Sequence, residues 1–101
     1  MATNKMRPVH PGEILREEYL APLGMTAHAL AMALHVLAPR INDIVRERRA
    51  VTSDTALRLA RHFDTTAQFW LNLQSAFDLK LAENEAGSRI ADEVSPRQRA
   101  A

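Results

Sequence analysis

The sequence predicts an all-α domain of five helices. Three observations carry that expectation: apolar residues recur at helical spacing along almost the whole chain, period-two alternation is nearly absent, and only 3 of 101 residues are glycine. The length leaves room for one core, because single-core domains run to about 50 to 200 residues. At 47% hydrophobic and 25% charged, the composition fits a folded helical unit and not a disordered polymer.

A first helix is expected over 13–20, with Pro11 and Gly12 marking its start, Ile14, Leu15 and Tyr19 turned inward, and Pro22 and Gly24 ending it. Thr26 is placed to cap a second helix whose Ala27, Leu30, Ala31 and Leu34 share one face. After a break at His35, Val36 and Leu37, a third helix begins near Ala38. Pro39 falls in its first turn, where a missing N–H costs nothing, and Ile41, Ile44 and Val45 form its buried stripe. A polar connection over 46–53 leads to a fourth helix, capped by Thr52 or Ser53 and carrying Ala56, Leu59, Ala60 and Phe63 on one face. Thr65 and Gln68 have capping-box spacing and are expected to open the longest helix, over about 66–83. Its main apolar stripe is Trp70, Leu73, Phe77 and Leu81, with Phe69, Leu71 and Leu79 outside it. The expected organisation is an N-terminal arm over 1–10, a compact unit over 11–64, a C-terminal helix over 65–84 and a flexible polar tail over 85–101.

With no cysteine, disulfides, thiolate metal sites and thiol nucleophiles are excluded together. His10, His28, His35 and His62 lack metal-ligand spacing, so neither a metal nor another cofactor is expected. Glu13, Glu17, Glu18 and His10 make an acid-rich start, but adjacent glutamates diverge on a helix and no pocket-building segment accompanies them; catalysis is not expected. Lys5 and Arg7 are followed by no apolar leader region, and no run approaches the roughly 20 apolar residues that span a bilayer, so a cytoplasmic protein without membrane contact is expected.

The formal net charge of +1 hides a local asymmetry. Between Arg40 and His62 lie six arginines (Arg40, Arg46, Arg48, Arg49, Arg58, Arg61) against Asp43, Glu47 and Asp54, a net +3 with histidine neutral. Such a patch is the footprint of a polyanion partner, although a solvated surface would have the same composition. The second and third helices, separated by three residues, have the layout of a helix-turn-helix, whose second helix enters the DNA major groove. With Ile41, Ile44 and Val45 inward, the third helix turns Pro39, Asp43 and Arg46 outward, flanked by Arg40, Asn42 and Glu47. Arg and Asn are the types that make bidentate contacts to guanine and adenine edges. Arg48 and Arg49 follow the helix, placed to lie along phosphates and position the protein without reading sequence. Asp43 has three readings: accepting from cytosine N4, orienting Arg40 or Arg46, or tilting away from DNA. Thr26, His28 and Ala38 complete the expected DNA-contacting set.

Several segments resemble the HigA antitoxins, of the Xre/Cro-type helix-turn-helix class. They are His10-Pro11-Gly12-Glu13-Ile14-Leu15, Glu18, Leu20, Pro22-Leu23-Gly24, Arg40-Ile41, Ile44, Arg48-Arg49, Val51-Thr52, the run from Asp54 to Ala60, and Phe69-Trp70-Leu71-Asn72-Leu73-Gln74. The resemblance spans about residues 10–82 and implies a lambda-repressor-like fold. It further implies a dimer that binds an operator palindrome upstream of its own operon and neutralises a RelE-like, ribosome-dependent mRNA-cleaving toxin. Two positions depart from the class: His35 stands where the turn usually has Gly, at a cost of order 1 kcal/mol if φ is positive, and Leu37 stands where a capping Ser or a Pro is common.

Trp70 and Phe77 suit a core better than a ligand pocket. Apolar residues on more than one face of the last helix also suggest burial twice, once in the chain's own core and once on a second copy, through Phe69, Trp70, Leu73, Phe77 and Leu81. Two other readings stay open: a stand-alone Xre-type regulator, and an antitoxin that binds protein but not DNA.

Overall fold

The computed structural model describes residues 7–97; positions 1–6 of the expected arm and 98–101 of the expected tail lie outside them. The described residues form five helices: α1 over 11–23, α2 (Ala27–Leu34), α3 (Ala38–Val45), α4 (Ser53–Phe63) and α5 (Ala67–Glu93). The helix-turn-helix fold expected from the sequence is present.

α1 starts at Pro11, earlier than expected, because His10 caps it: its Nδ1 accepts the Gly12 N–H at 2.8 Å. Over Leu15–Leu20 the turns widen, and the Ala21 N–H bonds the Arg16 carbonyl five residues back. Pro22 therefore sits inside the helix rather than ending it, since the wider register lies where its ring would otherwise press on a carbonyl four residues back. Gly24, at φ 61°, ends α1 in the left-handed conformation that glycine adopts without penalty.

α2 and α4 start as expected, on Thr26 and Thr52, whose hydroxyls accept the N–H groups of Ala29 and Thr55. At α5 the cap moves one residue. Thr66 Oγ1 accepts the Phe69 N–H at 3.0 Å, while the Thr65 hydroxyl accepts the Trp70 indole N–H at 2.9 Å and Gln68 bonds Asn72, so no capping box forms. The far end moves more. α5 runs on to Glu93, through most of the segment expected to be a polar tail. Glu83, Glu85 and Ala86 are good helix formers, a single Gly87 costs only about 1 kcal/mol, and no proline intervenes before Pro96.

The core gathers Leu15, Leu20, Leu30, Leu34, Ile41, Ile44, Val51, Leu59 and Trp70. At its centre the start of α1 meets the end of α3: a Cβ added at Gly12 would lie 1.8 Å from the Ile44 carbonyl oxygen. Arg16 fastens the same junction, donating to the Val45 carbonyl and pairing with Glu47 at 3.4 Å. Buried Gln74 ties α5 to the segment after α3, accepting the Val51 N–H at 2.8 Å and donating to Asp78 at 2.9 Å. His10 lies in this packed region, edge-on to Phe77 with ring centroids 4.8 Å apart. The last residue of the expected arm is thus part of the core. Arg7 is also held, with both guanidinium termini 2.7 Å from the Glu13 carboxylate.

Two outcomes follow. Gly12→Ala should lower stability by about 3 kcal/mol, read by urea denaturation, because the added carbon must push two backbones apart. Burial holds the His10 imidazole below its ordinary value, against the opposing pull of Glu47 and Asp78. The unfolded chain therefore takes up a proton that the folded chain refuses. Stability should be full above about pH 6.5 and fall as pH drops below it; His10→Asn, which keeps a capping acceptor, should flatten that decline.

Candidate nucleic-acid interface

α2 ends at Leu34, and the chain reverses at His35 with φ 60° and ψ 46°. The turn is closed by backbone bonds from the His35 N–H to the Met32 carbonyl and from the Val36 N–H to the Ala31 carbonyl. Val36 packs on the core. Leu37 occupies the cap position of α3 in extended geometry, makes no side-chain cap and is 81% exposed. Both departures seen in the sequence are thus real features: a non-glycine residue in left-handed geometry, and a third helix whose first N–H groups lack a side-chain acceptor.

α3 buries Ile41 and Ile44 and leaves Pro39 and Arg46 exposed, with Arg40, Asn42 and Asp43 partly so. His28 is exposed in the first turn of α2, and the Thr26 hydroxyl is engaged as its cap. Beyond α3, Glu47 turns the chain at φ 64° and the Arg48 N–H bonds the Asp43 carbonyl at 2.8 Å. The Asp43 carboxylate pairs with Arg48 at 3.4 Å and Arg49 at 3.7 Å. It therefore does not orient Arg40 or Arg46; the left-handed turn at Glu47 folds the next two arginines back onto it.

Arg40 is held from elsewhere. Its Nη1 donates to Asp54 Oδ2 at 2.7 Å, and the same oxygen accepts Arg58 Nε at 2.8 Å. Arg58 Nη1 also donates to the Leu34 carbonyl at 2.9 Å. One chain of contacts therefore links the end of α2, the start of α4 and the outward face of α3. The hydrogen bonds from Arg58 and then Arg40 hold the Asp54 carboxyl below the usual range, so it stays ionised at neutral pH. The Asp54–Arg58 spacing of four on α4 was visible in the sequence as a helical ion pair. The Arg40–Asp54 contact, and the Arg16 anchor, depend on tertiary packing and left no local signal.

On α5 the apolar residues divide. Trp70 is fully buried within the single chain, against Tyr19 (5.1 Å between centroids) and Phe69 (5.0 Å), so it offers no surface to a second copy. Phe69 and Leu73 pack on the core but keep partial exposure, as do Phe77 and Leu81. Among the described residues no helix is long and apolar enough to cross a membrane, and no three or more His, Asp or Glu side chains gather where they could hold a metal ion.

These helices define a helix-turn-helix protein, and the Helix-turn-helix family profile matches residues 15–70. The chain belongs, within that class, to the HigA family. It is 64% identical over 85 residues to Virulence-associated protein I of Dichelobacter nodosus, covering 84% of this chain and 79% of that protein. Antitoxin HigA of Pseudomonas aeruginosa, solved with the higBA promoter, superposes with a TM-score of 0.89 at 52% identity over 91% of this chain and all of that one. Antitoxin GraA, solved in complex with its operator, gives 0.88 at 53% identity over 93% of this chain and 95% of that one.

Because Leu37 is exposed and already extended, Leu37→Ser should add a side-chain acceptor for the Arg40 N–H, which now bonds only the Leu37 carbonyl at 3.0 Å, at no packing cost. It should raise stability by roughly 1 kcal/mol, measured by thermal melting.

Proposed function

We propose that this chain is a sequence-specific DNA-binding antitoxin that represses its own operon from the cytoplasm. The observation that carries the reading is the outward face of α3, where Arg40, Asn42 and Arg46 stand over a buried Ile41–Ile44 back, in a chain similar along most of its length to an antitoxin solved with its promoter. Arg40 and Asn42 read guanine and adenine edges in the major groove, with Arg46, Asp43, Pro39 and Ala38 alongside. Arg48 and Arg49, leashed to Asp43, are released to phosphates when DNA arrives. Thr26 and His28 meet the backbone at the start of α2, where helix N–H groups favour an anion.

The working unit is a homodimer on an operator palindrome. In this reading the helix-turn-helix unit is 11–64 and the pairing segment starts near residue 65; the helix in that segment ends at Glu93, beyond the expected boundary at 84. Phe69, Leu73, Phe77 and Leu81 have surface left to contribute; Trp70 does not. In the same reading the protein neutralises a RelE-like mRNA-cleaving toxin, and a gene for a small basic toxin immediately upstream is the expected neighbour.

Titration of a labelled duplex covering the DNA upstream of its own gene tests the DNA-binding half. Affinity should fall steeply between about 50 and 200 mM salt. Arg40→Ala should lose preference for this duplex over a scrambled one, whereas Arg48→Ala should weaken both alike and reduce the salt slope by about 1. Unchanged preference in Arg40→Ala overturns the assignment of the reading face.

A further inference from the structure

We infer that Asp54 is a positioning residue for DNA reading: it holds Arg40 by one guanidinium nitrogen so that the remaining edge meets a guanine, while Arg58 cancels its charge. The inference rests on the proposed DNA-binding role of α3.

A reading arginine faces two problems. Its side chain is long and rotamer-rich, so ordering it at the moment of binding weakens discrimination. A nearby carboxylate can order it in advance, but a carboxylate beside phosphates repels the backbone. The arrangement around Asp54 answers both. Arg40 Nη1 is taken by Asp54 Oδ2 at 2.7 Å, and Nε and Nη2 make no hydrogen bond among the described residues. Those two donors form one edge of the planar fork, and two parallel donors are what guanine O6 and N7 accept. Arg58 Nε neutralises Asp54 at the same oxygen, at 2.8 Å, and its own position is fixed by the Leu34 carbonyl at 2.9 Å. The trio carries a net single positive charge, so the approach to phosphate is not opposed.

The contacts also explain how α3 keeps its aim despite a weak front end. Leu37 gives α3 no cap and His35 is in left-handed geometry. The Leu34–Arg58–Asp54–Arg40 chain bridges that turn from outside, joining the last residue of α2 to the first turn of α3. A lone surface ion pair would hold little. Here Asp54 serves two arginines through one oxygen, and one of those arginines is tied to backbone.

The experiment is a double-mutant cycle on the full chain, read by fluorescence anisotropy. The probes are the duplex from upstream of its own gene, a set with single G·C pairs changed to A·T, and a scrambled duplex. Asp54→Asn should lower the preference for the upstream over the scrambled duplex by about tenfold, while affinity for the scrambled duplex holds or rises. The G·C pair that ceases to matter should be the same one as in Arg40→Ala. Adding Asp54→Asn to Arg40→Ala should then change preference little, since both act through one contact.

A purely structural role predicts instead a lowered melting midpoint, parallel losses on both duplexes and additive effects, and would overturn the inference. Sequestration of Arg40 predicts tighter upstream binding in Asp54→Asn, which also overturns it. If Arg40→Ala loses preference and Asp54→Asn does not, only the positioning role fails. If Arg40→Ala itself changes nothing, the reading face fails and this inference with it. Working below the midpoint of every variant keeps the cycle decisive if Asp54→Asn is less stable.

Discussion

Everything on the outward face of α3 depends on how closely its inner end is held. The Gly12 backbone sits against the Ile44 carbonyl with no room for a single carbon between them. That approach brings Arg16 onto the Val45 carbonyl and Glu47, and sets His10 against Phe77. Carbonyls in the last turn of a helix have no partner within it, and here Val45 finds one on α1. The result is a helix fixed at its rear by a junction of backbone and guanidinium, with its polar side left to solvent.

The front of α3 is secured differently. Its first turn has a proline and no capping side chain, and the turn before it relies on a strained histidine. What the local sequence does not provide arrives from α4, where Asp54 and Arg58 reach across to Arg40 and Leu34. α5 supports both ends indirectly. Trp70 fills the space beneath Tyr19, and Gln74 holds the chain at Val51, just before Thr52 caps α4. The helix that keeps Phe69, Leu73, Phe77 and Leu81 partly exposed is therefore also the helix that fixes the segment between α3 and α4.

Most of this fold was legible. The stripes of α2, α3 and α4 gave their buried faces, and Thr26 and Thr52 gave their starts, because periodicity and caps are local signals. The misses have physical causes. Thr65 and Thr66 are both competent caps, and the choice was made by Trp70, whose indole claims the Thr65 hydroxyl. Pro22 looked like a stop because the widened turns before it leave no mark in composition. The continuation of α5 was hidden by polarity: a helix with little to bury reads as a tail. Among the candidate site residues, the exposed character of Arg46, His28, Arg48 and Arg49 was readable from the pattern. The partners of Asp43 and Arg40 were not, since one depends on positive φ at Glu47 and the other on the packing of α4 against α2. Trp70 lies too deep for the surface expected of it, because an amphipathic stripe cannot say which members lie deepest.

Three helix ends turn on His35, Glu47 and Asp64 in left-handed geometry, where glycine would relax the backbone. Each substitution for glycine makes the native corner costlier and the unfolded chain less free, so the two effects partly offset. The corners flanking α3 thereby become places that carry a side chain at all. A glycine corner carries no contact of its own, whereas Glu47 uses its side chain to pair with Arg16 at 3.4 Å and so secures the bend that it forms.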